Sequence, residues 1–551
     1  KNNFILERRY LMEKWKFRLI FLLITASMAL LTHCTESNLD SEKSGMADEY
    51  NMDTDAGDYN LNSDADTDSD SDADGPIDYT PEVEQRFDYR IPVSSGKYIF
   101  IPDKENDQIA AVNSRTLDIT LAKTGASPTQ AVPISNDGQV AVIAVDSDKV
   151  SLIRTDSTGA LTATNFPVRP DTNALKASPS GRYVIAFYDS LFAEESLPPQ
   201  TDQDITVIDT KPGKEAAYDM IIGIHPIKIV FNSEETLAFA ITEEGVDIID
   251  LENLNNNMMP DAISLFDYTV VDPGNTEIQI DPSGTVAIGR REDSPQLTVA
   301  WLDGSDEIRN YTLQTTATDL DIANDGSFGM ITSRYGNQVA FFNLPFPSDS
   351  TTDPFTYVDL AGSIAGAAVI SDDGAKAALY TTIGDTDRDV LTVLSKVGST
   401  WTIDKTLLNR TVKGVIPSPD SSTFIVIHDQ ISAYATDSMN QAYSFSLVKL
   451  PDLKTKFQQM SMKETQILLT NDGTFAYLLF SDKSIDIINL QSFIVNTMEL
   501  GSVPVAAGYT SDTDKIFISQ DHPSGRMTFM DKDGTNVKTV TGYALNDSAE
   551  N

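Results

Sequence analysis

The sequence predicts an all-β fold, a β-propeller of about ten four-stranded blades, on three observations. A polar turn recurs ten times at blade-sized spacing, a short apolar run follows nearly every turn, and no linker interrupts the repetition between residues 86 and 544. The turns are SSG ending at Gly96, SNDG at Gly138, SPSG at Gly181, NSEE at Glu235, DPSG at Gly284, NDG at Gly326, SDDG at Gly374, SPDS at Ser421, NDG at Gly473 and SDTD at Asp514. Successive spacings are 42, 43, 54, 49, 42, 48, 47, 52 and 41 residues, each enough for four short strands and their loops.

The first strand of a unit precedes its turn, as in Val505 to Tyr509. The second follows it: Tyr98 to Ile101, Val140 to Val145, Tyr183 to Phe187, Leu237 to Ile241, Phe424 to Ile427 and Phe475 to Phe480. These runs are apolar at adjacent positions, the pattern of strands covered on both faces. A third strand comes after a polar loop, as in Ile205 to Asp209, Val246 to Asp250 and Ile485 to Asn489. The fourth alternates, as in Ile119 to Lys123 and Val537 to Val540, which suits a half-exposed outer edge. Both terminal units read as complete, so the ring is expected to close without a strand shared between the chain ends; two smaller propellers, or a sandwich array or solenoid, are the competing architectures.

The succession of Pro, an SPDG-like turn, an apolar run and a VIDL-like strand resembles the YVTN-type, surface-layer-like propeller repeats of exported bacterial proteins. The match is clearest at Asp204 to Thr210 and Ser418 to Ile427, and it covers about Arg86 to Ala544.

The first 33 residues read as an export signal: Lys14, Lys16 and Arg18 precede the apolar run Leu19 to Leu31, and Met12 is the expected start. Thirteen residues are short against the roughly 20 that span a bilayer as a helix. Leu31-Thr32-His33-Cys34 resembles the lipobox of bacterial lipoproteins, with His33 where that family carries a small residue. The resemblance implies acylation of Cys34, and Thr35 after it resembles the outer-membrane sorting pattern. Cys34 is the single cysteine, so the chain holds no internal disulfide.

The net charge of −42 divides into +4 for residues 1–33, −16 for 34–84 and −30 for 85–551. Residues 34–84 form an acidic spacer too poor in apolar groups to offset its ordering entropy, with a flexible-chain reach of about 40 Å. Residues 85–545 are the expected propeller, and 546–551 a tail. Acidity in the folded part argues against nucleic acid or anionic lipid as its partner. The membrane contact is expected through the lipid, and the partner is expected to be a protein or a glycan.

Function is expected on the face that carries the loops between second and third strands. Two of those loops are long, 190–203 and 430–441, and their Leu191, Phe192, Tyr434 and Met439 are candidate partner-binding residues. Asp385, Asp387 and Asp389 form a D-x-D-x-D run suited to calcium, although Val390 stands where such loops carry glycine. Asp70, Asp72, Asp74 and Gly75 repeat that pattern in the spacer, where Pro81 occupies the closing ligand position. His225, His428 and His522 fall in units four, eight and ten, too far apart around a ring to share a metal. No GxSxG, HExxH, Walker loop or GxGxxG occurs. Two functions follow: a non-enzymatic binding or scaffold module anchored at the outer membrane, or a propeller hydrolase of the lactonase kind with its site on the same loop face.

Overall fold

The structure is a computed structural model that describes residues 82, 92–192, 202–268, 271, 273–292, 294–305, 307–347, 353–384, 386–428 and 442–544. Cys34, Asp385, Tyr434, Met439 and the aspartates of the spacer lie outside these residues. Forty described strands, β1 to β40 in chain order, form ten four-stranded antiparallel sheets. Each sheet is one blade made from contiguous sequence, at 93–123, 128–167, 174–221, 228–263, 276–312, 319–359, 367–407, 412–459, 464–499 and 504–541. The chain is a ten-bladed β-propeller.

The ten polar turns join the first to the second strand of each blade. Their closing residues, Gly96, Gly138, Gly181, Glu235, Gly284, Gly326, Gly374, Ser421, Gly473 and Asp514, all have φ between +53° and +89°. The turn therefore needs one left-handed residue at a fixed place, which explains why glycine fills most of these positions.

Second strands are largely buried, and β10 (Tyr183–Phe187) and β30 (Thr423–His428) are buried along their whole length. Fourth strands are mostly half-buried or exposed; β20 (Ile308–Thr312) alternates, with every second residue exposed, whereas β4 (Ile119–Lys123), expected to alternate, is half-buried along almost its whole length. Neighbouring residues of a middle strand enter opposite junctions: Ile425 and Ile427 pack towards blade nine, Phe424 and Val426 towards blade seven. Ten apolar clusters fill the ten junctions between blades, including the one that joins blade ten to blade one. At that seam Ile99, Ala110 and Val112 meet Phe517, Met527 and Phe529.

The seam joins two complete blades, as the sequence predicts. Ser94 Oγ in β1 (Val93–Ser95) donates to the carbonyl of Tyr509 in β37 (Pro504–Thr510) at 2.7 Å. Ser114 Oγ lies 2.9 Å from Thr513 Oγ1, and Arg115 Nη2 donates to the Asp512 carbonyl at 3.0 Å.

Innermost strands of adjacent blades are also tied by side chains that read backbone. Gln466 in β33 (Glu464–Leu469) accepts from Ala507 N–H at 2.6 Å and donates to its carbonyl at 2.9 Å. Gln130 in β5 (Pro128–Pro133) makes the same two bonds to Leu175 in β9 (Ala174–Ala177). Asp319 in β21 (Asp319–Ile322) accepts from Ala368 N–H in β25 (Ala367–Ile370) at 2.6 Å.

Candidate functional site

The face bearing the loops between second and third strands carries a buried cluster of charges on blades five to seven. Arg290 ends β18 (Val286–Arg291) and opens the RREDSPQ loop. Its Nε donates to Glu277 Oε2 and its Nη1 to Glu292 Oε1, both at 2.6 Å, and the side chain is 10% exposed. Burial works against the Arg290 charge, but Glu277 and Glu292 outweigh it and hold the group above its usual range. Burial pushes the Glu292 carboxyl up, with Arg290 pulling the other way. Glu292 Oε2 is buried, and among the described residues no hydrogen bond reaches it.

One blade further on, the β22–β23 loop places Arg334, whose Nη1 donates to Glu82 Oε1 at 2.7 Å; the side chains are 9% and 2% exposed. Glu82 belongs to the stretch that composition assigns to the spacer, yet its carboxylate is fully occupied. Thr381 Oγ1 donates to Oε1 at 2.9 Å, Thr382 N–H donates to Oε2 at 2.8 Å, and the Thr382 hydroxyl donates to the same oxygen. Gly366 floors this cradle: a Cβ there would stand 1.8 Å from Glu82 Oε1. The Gly366 carbonyl is fixed by the hydroxyls of Thr318 at 2.6 Å and Thr332 at 3.2 Å. Thr318 Oγ1 in turn accepts from the Arg334 N–H at 3.2 Å, so the floor and the guanidinium share one support. Arg334 Nη2 also donates to the Tyr335 hydroxyl at 3.1 Å.

Beside Glu82 lies a cleft of about 300 Å³ whose walls include Lys228, Thr242, Glu277, Gln279 and Arg290. A second cleft of about 470 Å³ on blade four is lined by Ile224, Glu243, Phe266 and Tyr268.

The remaining sequence candidates are dispersed. Asp387 has φ +58° and its Oδ2 accepts from Ile364 N–H at 2.9 Å, while the Asp389 carbonyl accepts from Leu408 N–H at 2.7 Å. Leu191 and Phe192 lie in a short 3-10 turn, Ser190–Phe192, with Phe192 half-buried. His225 bridges Asp202 at 2.7 Å and Glu243 at 3.1 Å on the blade-four rim. His428 is buried, with Nε2 2.7 Å from Ser446 Oγ and Nδ1 3.2 Å from the Thr411 carbonyl, and burial pushes its pKa down to about 4. His522 Nδ1 accepts from Ser524 N–H at 3.1 Å. His225 thus ties a loop of blade three to one of blade four, while His428 and His522 are engaged within their own blades and loops, each apart from the other two. Among the described residues, no helix is long and apolar enough to cross a membrane.

Sequence reasoning placed Arg290 in a polar loop of this face but missed Arg334, Thr381, Thr382 and Glu82. Glu82 and Thr382 are 300 positions apart, and no local motif joins them.

No family model matches the chain, and no curated protein matches it either. Among solved structures it is similar to the dihydro-heme d1 dehydrogenase NirN in complex with DHE, at 13% identity over 74% of this chain and 72% of that one, with a TM-score of 0.40. It is similar to apo AztD from Citrobacter koseri at 11% identity over 81% of this chain and 94% of that one, with a TM-score of 0.35. It is similar to hydrazine synthase from Kuenenia stuttgartiensis at 10% identity over 57% and 95%, with a TM-score of 0.33.

Proposed function

We propose that the protein is an exported, lipid-anchored binding module of the YVTN-type repeat class, held at the outer membrane through Cys34 on its acidic spacer. It recognises a protein or glycan partner with the loop face of its propeller. The observation that carries the recognition half is the Glu82 cradle. Three donor side chains and one backbone N–H from two blades converge on a single carboxylate, which is the arrangement of a receptor for an anionic group. The anchoring half rests on the apolar run and Cys34. Replacing Cys34 with serine in the full chain is expected to abolish fatty-acid labelling and move the protein to the soluble fraction. Unchanged membrane retention, with no label in the parent, overturns it.

A hydrolase on the same face is the second reading, and Glu292 is what favours it: a buried carboxyl with a raised pKa suits proton transfer. A screen of lactone and ester substrates discriminates the two. Turnover that Glu292→Gln abolishes supports the hydrolase, and turnover by the parent alone is enough to remove the non-enzymatic reading.

A further inference from the structure

The carboxylate in the cradle belongs to the chain itself, and it comes from outside the ring. Glu82 precedes the first blade by eleven positions, whereas the cradle is built by blades six and seven, on another part of the circle. None of the donors is supplied by the first blade, which comes next after Glu82 in the chain. Arg334 comes from the β22–β23 loop of blade six, Thr381 and Thr382 from the end of β26 (Lys376–Tyr380) in blade seven, and Gly366 from the connection between those blades. Part of the cradle is held by contacts that do not involve Glu82: Thr318 and Thr332 hold the Gly366 carbonyl, and Thr318 holds the Arg334 backbone. Gly366 leaves the space that one carboxylate oxygen fills.

We infer that this cradle is an exchangeable site for a glutamate side chain of an extended acidic peptide, and that Glu82 is its resident intramolecular occupant. The inference rests on the binding-module reading above and names the ligand class of that face. Arg334 supplies the charge, the two threonine hydroxyls and the Thr382 N–H select the trigonal shape of a carboxylate, and Gly366 sets the depth to which a side chain can reach. The peptide class follows from the occupant, which is a glutamate carried on polypeptide. The adjoining cleft of about 300 Å³, with Lys228 and Gln279 on its wall, gives room for further residues of such a peptide. A resident carboxylate at an effective concentration of ~1 mM would weaken an external peptide of ~100 µM intrinsic affinity about tenfold while Glu82 is in place.

The test uses the full chain and a fluorescent nine-residue peptide copying positions 78–86, with a control peptide carrying glutamine in place of Glu82. Glu82→Ala is expected to bind the peptide at least tenfold more tightly than the parent does, and to bind the control at least tenfold more weakly than the peptide. Adding Arg334→Ala is expected to abolish binding while the ring still melts cooperatively. Should Glu82→Ala not fold, Glu82→Gln keeps the side-chain volume and removes the charge, and it is expected to gain binding in the same direction. A folded Glu82→Ala protein that binds no peptide, or binds it no better than the parent, makes Glu82 a fixed strut and overturns the inference. Capture of oligogalacturonate but not of the peptide overturns the peptide class. Either result leaves the anchoring and the question of turnover separate, read by the Cys34 and substrate experiments.

Discussion

Gly374 closes the turn of blade seven with φ +64°, and the nearest atoms to an added Cβ lie at 3.6 and 3.8 Å, ordinary contact distances. Alanine there meets no obstruction, so its cost is conformational: about 1–2 kcal/mol. Gly374→Ala is expected to lower stability by that amount in urea unfolding, and Gly374→Asn by less, because asparagine tolerates the left-handed region. Two buried titratable groups act in opposite senses at the same scale. Burial pushes the Asp247 carboxyl up to about 6, against the Gly223 N–H that donates to it at 3.1 Å. Its folded-state pKa lies above the unfolded value near 4, so the folded form prefers the proton and stability falls as pH rises from about 4 to about 6, by about 3 kcal/mol. His428 is depressed to about 4 from an unfolded value near 6.5, so stability falls as pH drops through that window, by a similar amount. The two slopes oppose one another in the parent. Asp247→Asn keeps an acceptor for Gly223 and removes the charge, so calorimetry from pH 4 to 7 should show the variant gaining on the parent as pH rises. A constant difference across that range would assign the cost to something other than ionisation.

The blade is the element of this fold, and its edges are where neighbouring blades are tied. Gln466 presents its amide to both backbone groups of Ala507, a residue with no exposed surface, and so extends the hydrogen bonding of blade nine onto the innermost strand of blade ten. Gln466→Met keeps the length and loses both bonds. Each buried group left without its partner costs about 1–3 kcal/mol, so the variant is expected to lose roughly 3 kcal/mol in denaturant unfolding. A loss below about 1 kcal/mol would mean that packing, not these bonds, holds that junction. Blade turns and middle strands were legible because they are local: a turn residue at a set place and adjacent apolar positions need only a few neighbours in sequence. The amide ties were not, since Gln466 and Ala507 are 41 positions apart and a lone glutamine in a strand has no distinguishing local pattern.

At the scale of the whole molecule, every apolar face is covered only because the circle is complete. Removing residues 502–544 would uncover Ile99 and Val112 on one side and Tyr477 and Leu479 on the other. Exposure of even about 400 Å² of apolar surface costs about 10 kcal/mol, comparable to the stability of a typical domain. The truncated chain is expected to aggregate or unfold, and a soluble monomer melting with the parent would contradict the closed ring as the source of stability. The candidate site was the least legible part. The RREDSPQ loop marked Arg290 and Glu292, but Arg334, Thr381 and Glu82 each look like ordinary polar residues, and only the curvature of the ring brings them together. Asp385, Asp387 and Asp389 show the converse: a visible local pattern whose described middle member, Asp387, caps the Ile364 N–H.

The seam between two self-contained blades also sets a clock. Ile99 leaves the ribosome 418 positions ahead of Phe517, the residue that will cover it. At 5–20 residues per second, roughly 20–80 s pass between the two. Blades one to nine can complete their hairpins in that interval, each lying against the last, but the outward side of blade one waits bare until blade ten, at 504–541, arrives. A nascent chain of this kind needs a cover for that surface long before it needs help with any single blade.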